Sequence, residues 1–171
     1  MNIKKRLITV AVLLITAFGI GSVQGADANV SFAIYLSQTD ARPETPLSEM
    51  ELSKEPFLTD TDIIEYRWNE HEISLSPQGI KKLRELVKRR EEGRAFVVVA
   101  DGVRCYHGAF WKLIWSVSYP YPVILIDSTL TKTIAIGRAY PTPAFAKGED
   151  PRSDKRIYDA LKRKSKLKET D

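Results

Sequence analysis

The sequence has little cysteine and little histidine, the side chains that most often build metal and nucleophilic sites. Its 171 residues include one cysteine, Cys105, and two histidines, His71 and His107. A single cysteine excludes an intrachain disulfide, so the hydrophobic core has to stabilise the fold alone. A zinc site needs three or four ligands, which these residues and scattered carboxylates would supply only through folding. We therefore predict no metal and no cofactor.

The sequence also lacks internal repeats and has no second long apolar run after the one near its N-terminus. Residues 4–6 are Lys-Lys-Arg, residues 7–20 are apolar, and residues 23–25 offer small side chains for a signal peptidase. Residues 26–28 are a second possible cleavage site. This order predicts a signal peptide over residues 1–25, export to the periplasm or the medium, and no membrane span afterwards. The alternative is an uncleaved N-terminal anchor.

The charge of the chain does not favour a nucleic-acid partner. The formal net charge of +4 includes three positive charges in the predicted signal peptide, whose removal leaves +1. The high isoelectric point therefore owes much to the signal peptide. No stretch alternates basic and aromatic residues as a single-strand binder would. We expect no nucleic acid among the partners.

The central part of the chain predicts a strand followed by a capped helix. Ile73–Leu75 alternates apolar and polar residues, as a half-buried strand does. Ser76 is a suitable N-cap, and Pro77 fits the first helical position, where its missing N–H costs nothing. Gly93 is placed where a left-handed C-terminal cap is needed, which predicts a long helix over about residues 77–91. One face of this helix is apolar: Ile80, Leu83, Leu86 and Val87.

A β-hairpin is predicted next. Ala95–Ala100 is continuously apolar and rich in β-branched residues, which indicates a strand covered on both faces. Asp101-Gly102 is a favoured two-residue turn, because both positions need positive φ. Val103–Tyr106 is then the returning strand.

The sequence before this central part predicts shorter elements. Val30–Leu36 alternates and suits a first strand, and residues 37–51 have the polar composition of a surface loop. Thr59 or Asp60 can cap a short helical turn. Residues 69–71 are predicted to turn between two short strands.

The C-terminal third predicts a second hairpin and a last helix. Residues 123–126 form a buried strand, and residues 134–136 are its expected partner. Residues 141–152 have a linker composition, and Ser153 is the expected cap of the last helix. Residues 162–168 are predicted to be a fraying basic tail; the less favoured alternative is contact with anionic lipid or a polyanion.

Together these elements predict an α+β fold, with an antiparallel or mixed sheet, one long packed helix over about 77–91 and a peripheral C-terminal helix. We divide the chain into a signal peptide (1–25), a first strand and loop (26–51), an α+β domain (52–140), and a linker with the basic helix (141–171).

One stretch of the chain resembles a known family. The residues that carry the likeness are Leu52, Pro56, Leu58, Thr59, Asp62, Ile63, Ile73–Leu75, Gly79, Leu83, Gly93 and Val97–Gly102. Over about residues 52–105 the pattern resembles the head part of the first periplasmic domain of SecD, an accessory subunit of the bacterial Sec translocase. The resemblance implies a non-catalytic α+β module that contacts an emerging or unfolded polypeptide. It does not extend to proton-driven translocation, and the aromatic residues from Cys105 to Trp111 depart from the family pattern.

The aromatic-rich segment that follows the hairpin is the candidate binding surface. A small core cannot easily hide so many rings, and exposed aromatic patches mark binding sites. The alternative is plain core. Periodicity allows either a helix or a strand over residues 110–117. The candidate binding residues are Tyr106, His107, Phe110, Trp111, Trp115, Tyr119 and Tyr121.

Two other functions stay open at this point. Cys105 and His107 lie two apart and would share a face on a strand, so a small secreted hydrolase using this pair is one alternative. Glu70, Glu72, Asp101 and Asp127 are interpreted as structural carboxylates. A structural subunit of an envelope assembly is the other alternative. We expect no enzyme, but an exported binding module whose partner is a polypeptide or envelope protein, with a link to protein export as one possibility.

Overall fold

A computed structural model describes residues 30–40, 42, 45–126 and 132–169. The predicted signal peptide and Asp127 lie outside these residues. Within them are two α-helices, α1 (Pro77–Lys88) and α2 (Lys155–Arg163). The strands are β1 (Phe32–Asp40), β2 (Leu58–Thr59), β3 (Ile63–Arg67), β4 (Glu72–Leu75), β5 (Arg94–Ala100), β6 (Val103–Trp111), β7 (Val123–Leu125), β8 (Thr133–Gly137) and β9 (Leu167–Lys168).

The nine strands of the described residues form one curled sheet, a half-barrel with the order β2-β1-β5-β6-β7-β8-β4-β3-β9. Neighbouring strands are antiparallel except for β6 with β7 and β3 with β9, which are parallel. The predicted α+β class with a mixed sheet is therefore confirmed. The predicted long helix is wrong, because α1 has 12 residues and ends at Lys88.

The main core lies on the inner face of the curled sheet. Every strand and both helices contribute side chains to it. Strand β5 shows why its sequence is apolar throughout. Phe96, Val98 and Ala100 belong to the main core, whereas the alternate residues belong to a second cluster on the outer face. That cluster is closed by Met50, which is 3% exposed. The segment predicted to be a surface loop thus covers the sheet, and the prediction of a strand covered on both faces is confirmed.

The C-terminal helix is not peripheral, contrary to the prediction. Ile157, Ala160 and Leu161 are at most 1% exposed and belong to the main core. Its N-cap is Asp154, whose carboxylate accepts from the Arg156 N–H, and not Ser153. The reason for the error is that a stripe of three apolar residues predicts an amphipathic helix but does not show which part of the sheet encloses it.

The basic tail does not fray where the structure describes it. β9 pairs in parallel with β3, and the Lys166 Nζ donates to the Ile63 carbonyl over 2.6 Å. Residues 141–152, which have a linker composition, also make specific contacts with the fold. The Arg152 guanidinium donates to the Ile136 carbonyl and to the Asp150 carboxylate. These contacts tie the C-terminal segment to β3 and β8 of the curled sheet.

Most of the predicted turns are confirmed. Asp101 and Gly102 have φ values of +48° and +75°, and Ala100 pairs with Val103 across them. Thr59 is the N-cap residue of the 3₁₀ turn that follows it, in a capping box in which the Thr59 N–H donates to the Asp62 carboxylate over 2.9 Å. Such reciprocal caps satisfy amide groups that a helix start leaves without partners.

The end of α1 is capped differently from the prediction. Arg90, not Gly93, has the left-handed conformation next to the helix, with φ +56°. Its N–H donates to the Val87 carbonyl and the Glu91 N–H to the Leu86 carbonyl, at 3.0 and 3.4 Å, the two bonds of a Schellman motif. Gly93 has φ +85°, but its N–H donates to the Phe110 carbonyl over 2.7 Å and starts β5.

The left-handed backbone conformation of Arg90 is strained, and a glycine at this position would relieve the strain. We expect Arg90→Gly to raise the free energy of unfolding by about 0.5 kcal/mol, because glycine avoids the Cβ clash but costs more chain entropy. Urea unfolding at neutral pH measures the change. Arg89→Gly is the matched control, since Arg89 is right-handed with φ −76° and should lose about 0.5–1 kcal/mol. Equal losses in both variants would contradict the assignment of the cap.

Candidate functional site

The seven candidate binding residues do not form one surface. Tyr106 and Phe110 are 5% and 0% exposed and belong to the main core. They lie on the inner face of β6, where Phe110 packs against Phe96 at 5.3 Å between ring centroids. Alternation along the strand sends the neighbouring side chains to the outer face. The binding role therefore falls to the outer residues of the set.

Three of the outer residues form an aromatic base. Trp111 packs against Trp115 and Tyr119 with centroid distances of 4.7 and 5.0 Å. Trp111 and Tyr119 are 8% and 2% exposed, and Tyr140 closes the cluster by donating its hydroxyl to the Leu113 carbonyl. The base is a third, small hydrophobic cluster that supports the loop from residue 112 to residue 118.

His107 and Tyr121, the remaining two, line a cleft on the outer face with a volume of about 250 Å³. Their ring centroids are 4.9 Å apart. Tyr121 reaches this position because the connector before β7 lies directly on β6, where the Ala109 N–H donates to the Pro122 carbonyl over 2.9 Å. Gly108 makes this approach possible, since an ideal Cβ there would lie 2.3 Å from the Pro122 oxygen. Further lining residues are Leu47, Cys105, the buried Tyr106, Pro120, Pro122, Arg138, Ala146, Lys147, Glu149 and Pro151.

The cleft has more positive than negative charge. Arg138 and Lys147 line it, and neither forms an ion pair within the described residues. Arg138 donates through Nη2 to the Gly148 carbonyl over 2.9 Å, which leaves the rest of the guanidinium for other acceptors. Glu149 supplies one negative charge. Burial lowers the pKa of His107, so its imidazole is neutral at pH 7 and acts as an apolar wall.

The thiol of Cys105 is not activated, although it lines the same cleft as His107. Burial raises its pKa to about 11, whereas a nucleophilic cysteine needs a lowered pKa. Its Sγ lies 3.5 Å from the Val103 carbonyl. Cys105 is also the extra residue of a β-bulge, because Tyr106 pairs with Val98 and Arg104 with Val99. This geometry does not favour a Cys–His hydrolase.

Sequence reasoning missed the most exposed large apolar residues among those that the structure describes. Leu113, Ile114 and Val117 are 64%, 84% and 66% exposed, and we call them the aliphatic tip. Both periodic interpretations of residues 110–117 group Leu113 and Val117 on one face with aromatic or aliphatic residues, without showing whether that face is buried. Neither holds beyond Trp111, because β6 ends there and the chain continues as an irregular loop. The periodicity contained no signal for the tip.

A second groove, of about 280 Å³, lies beside α1 and is lined by Leu36, Phe57 and Leu86 among others. The carboxylates in it already have cations. Glu85 pairs with Lys88 and Glu91 with Arg94. Lys81 and Arg89 in the groove also lie outside any ion pair in the described residues. The cleft is the better candidate because its free cations lie beside the packed rings of His107 and Tyr121.

Metal binding and membrane spanning find no support in the described part of the chain. It contains no group of three or more histidine, cysteine and acidic residues placed to hold a metal ion. Neither of its helices combines the length and apolar character needed to cross a membrane.

The chain matches no protein-family model, no curated protein and no solved structure. The SecD resemblance therefore stays a prediction.

Proposed function

We propose that this protein is an exported, non-catalytic binding module, and that its cleft holds a short polypeptide segment with a carboxylate beside an apolar side chain. One observation carries the proposal: Arg138 and Lys147, both outside any ion pair in the described residues, line the same cleft as the packed rings of His107 and Tyr121. A role near the export machinery, as the SecD-like pattern implies, belongs to the same proposal.

The two walls of the cleft favour different parts of one ligand. The His107 and Tyr121 rings and the neighbouring prolines present flat apolar area, which suits a leucine or phenylalanine side chain. Arg138 offers a planar fork that matches a carboxylate through two parallel hydrogen bonds. A volume near 250 Å³ is small for a drug-sized ligand but sufficient for one or two side chains of an extended segment.

The rival functions have less support. A hydrolase using Cys105 and His107 would require a thiolate at neutral pH, and burial has the opposite effect on this thiol. A structural subunit of an envelope assembly would use a fixed partner, and the same cleft could receive one acidic segment of it. Preference for one sequence over all other acidic peptides would indicate that dedicated partner.

We expect the cleft to bind acidic peptides in preference to basic ones. The probe is an array of ten-residue peptides in matched sets that differ only in Glu, Gln or Lys beside a central Leu or Phe. Wild type should retain the Glu peptides about tenfold more strongly than the Lys peptides, since one charged hydrogen-bonded contact contributes about 1.5–3 kcal/mol. Arg138→Gln should remove this preference, and Tyr121→Ala should weaken all binding.

The control variants separate the cleft from general surface charge. Arg84→Gln removes an exposed arginine on α1 and should bind as wild type does. Cys105→Ala should also bind normally, whereas the hydrolase alternative predicts that this variant loses all function. Equal retention of Glu and Lys peptides by wild type would contradict the proposal.

A further inference from the structure

We propose that the aliphatic tip docks on the surface of an anionic lipid bilayer, a binding site separate from the cleft. The tip consists of Leu113, Ile114 and Val117, three aliphatic side chains that are 64–84% exposed within five residues. Single exposed apolar residues are ordinary on protein surfaces, but a cluster of them marks an interaction site. The occupant follows from how the tip is held and from the charge around it.

The tip is held outward by its supporting contacts. The Leu113 carbonyl accepts the Tyr140 hydroxyl, and Lys112 pairs with Glu92 over 2.8 Å. Trp115 packs on Trp111 at 4.7 Å between centroids. These contacts fix both the backbone and the central tryptophan of the loop. The exposed side chains therefore project from a built support and are not the edge of a poorly packed core.

Positive charge flanks the tip on one side. Trp115 lies against Gly93, where an ideal Cβ would be 3.4 Å from its ring, so the segment that connects α1 to β5 passes beside the loop. Arg89 and Arg90 are exposed there and form no ion pair within the described residues. The acidic neighbours are already paired: Glu85 with Lys88, Glu91 with Arg94 and Glu92 with Lys112.

This combination fits a bilayer better than a folded partner. Ile114 is 84% exposed, so it projects and no groove of this chain forms around it. A protein partner would need a matching concave pocket, whereas the interfacial region of a bilayer accepts a projecting aliphatic group directly. Anionic headgroups would meet Arg89 and Arg90 at the same time, and each cation near such a surface strengthens binding.

The test uses an environment-sensitive fluorophore at the tip. Cys105→Ala removes the one native thiol, and Val117→Cys then places a nitrobenzoxadiazole label on the tip of the full chain. The matched control is the same label at Ile64→Cys, because Ile64 is also aliphatic and 59% exposed but lies on β3. The probe is a vesicle of phosphatidylglycerol and phosphatidylcholine in equal parts, compared with pure phosphatidylcholine. Because each label reports its own surroundings, lipid binding through another segment would not selectively brighten the label at position 117.

We expect the label at position 117 to brighten several-fold with anionic vesicles and the label at position 64 to stay unchanged. Leu113→Ser with Ile114→Ser should weaken the lipid response at least about tenfold, through lost apolar insertion. Arg89→Gln with Arg90→Gln should weaken it about tenfold or more, through lost charge attraction. Equal responses at the two positions, or none at position 117, would overturn the proposal. A response at 117 to a carboxymethylated unfolded protein but not to vesicles would also overturn it and assign the tip to polypeptide.

Discussion

Gly108→Ala is expected to reduce the free energy of unfolding by about 3 kcal/mol or more, the upper range for overpacking a core. A Cβ at this position would lie 2.3 Å from the Pro122 carbonyl oxygen and 2.4 Å from Phe96 Cζ. Real Cβ atoms do not approach that closely, so the connector or the core ring has to move. The Pro122 oxygen also accepts the Ala109 N–H, which the movement would break.

The consequence reaches the cleft, because the same connector places Tyr121 against His107. Urea unfolding measures the stability, and Gly102→Ala is the control. Gly102 has φ +75° with nothing within 4 Å of its ideal Cβ, so alanine there should cost only about 1 kcal/mol. Similar losses in the two variants would contradict the close approach of the connector to β6. We also expect Gly108→Ala to bind acidic peptides weakly even where it remains folded.

We expect the free energy of unfolding to begin to fall near pH 6.5, a higher pH than that at which carboxylates titrate. His71 is 6% exposed, and burial lowers its pKa from 6.5 to about 4, with Arg152 acting in the same direction. Asp150 and Glu70 oppose the shift, and the Tyr66 hydroxyl lies 3.1 Å from Nδ1. The unfolded chain therefore binds a proton that the folded chain rejects between pH 6.5 and pH 4.

The sign follows from this difference in proton binding. The stability that His71 contributes falls as pH drops from about 6.5, and this loss levels off below about pH 4 at about 3 kcal/mol in total. Urea midpoints at pH 7, 6, 5 and 4.5 measure it. His71→Asn is the control, since asparagine tolerates the φ of +51° at this position and does not titrate. The variant should have a distinctly flatter profile; parallel profiles would show that His71 is not the group responsible.

The sequence predicted local elements well where one physical signal was sufficient. Ser76 and Pro77 begin α1 as expected, with the Ser76 hydroxyl oxygen accepting the Gly79 N–H over 3.2 Å. The Asp101-Gly102 turn and the pairing of β7 with β8 are also found. In each case the deciding interaction is between residues close in sequence, so a single chain segment contains the whole signal.

The predictions that were wrong depend on contacts between distant segments. The sequence predicts that Gly93 ends α1, yet the Gly93 N–H donates to the carbonyl of Phe110 in β6. The C-terminal helix looked peripheral because nothing local shows that the sheet curls enough to enclose it. The aromatic segment was treated as one unit, but β6 divides it, with Phe110 on the inner face and Trp111 on the outer. The aliphatic tip depends on where β6 ends, which local periodicity cannot determine.

The two proposed sites lie on consecutive parts of the same segment and suggest one arrangement at a membrane surface. β6 supplies His107 to the cleft and Trp111 to the aromatic base below the tip. Docking of Leu113, Ile114 and Val117 on anionic lipid would hold the module at the bilayer while the cleft engages an acidic polypeptide segment. Each site has its own variants, so failure of one does not decide the other.

The most direct test of the central claim is a nuclear magnetic resonance titration of the isotope-labelled protein with the Glu peptide that wild type retains best. The account predicts backbone amide shifts concentrated at residues 105–107, 121, 138 and 147–149, with saturation, and their loss in Arg138→Gln. It also predicts no shifts at the groove beside α1. Shifts centred on that groove or on the aliphatic tip, or scattered shifts that Arg138→Gln does not alter, would contradict the assignment of the cleft as the polypeptide site.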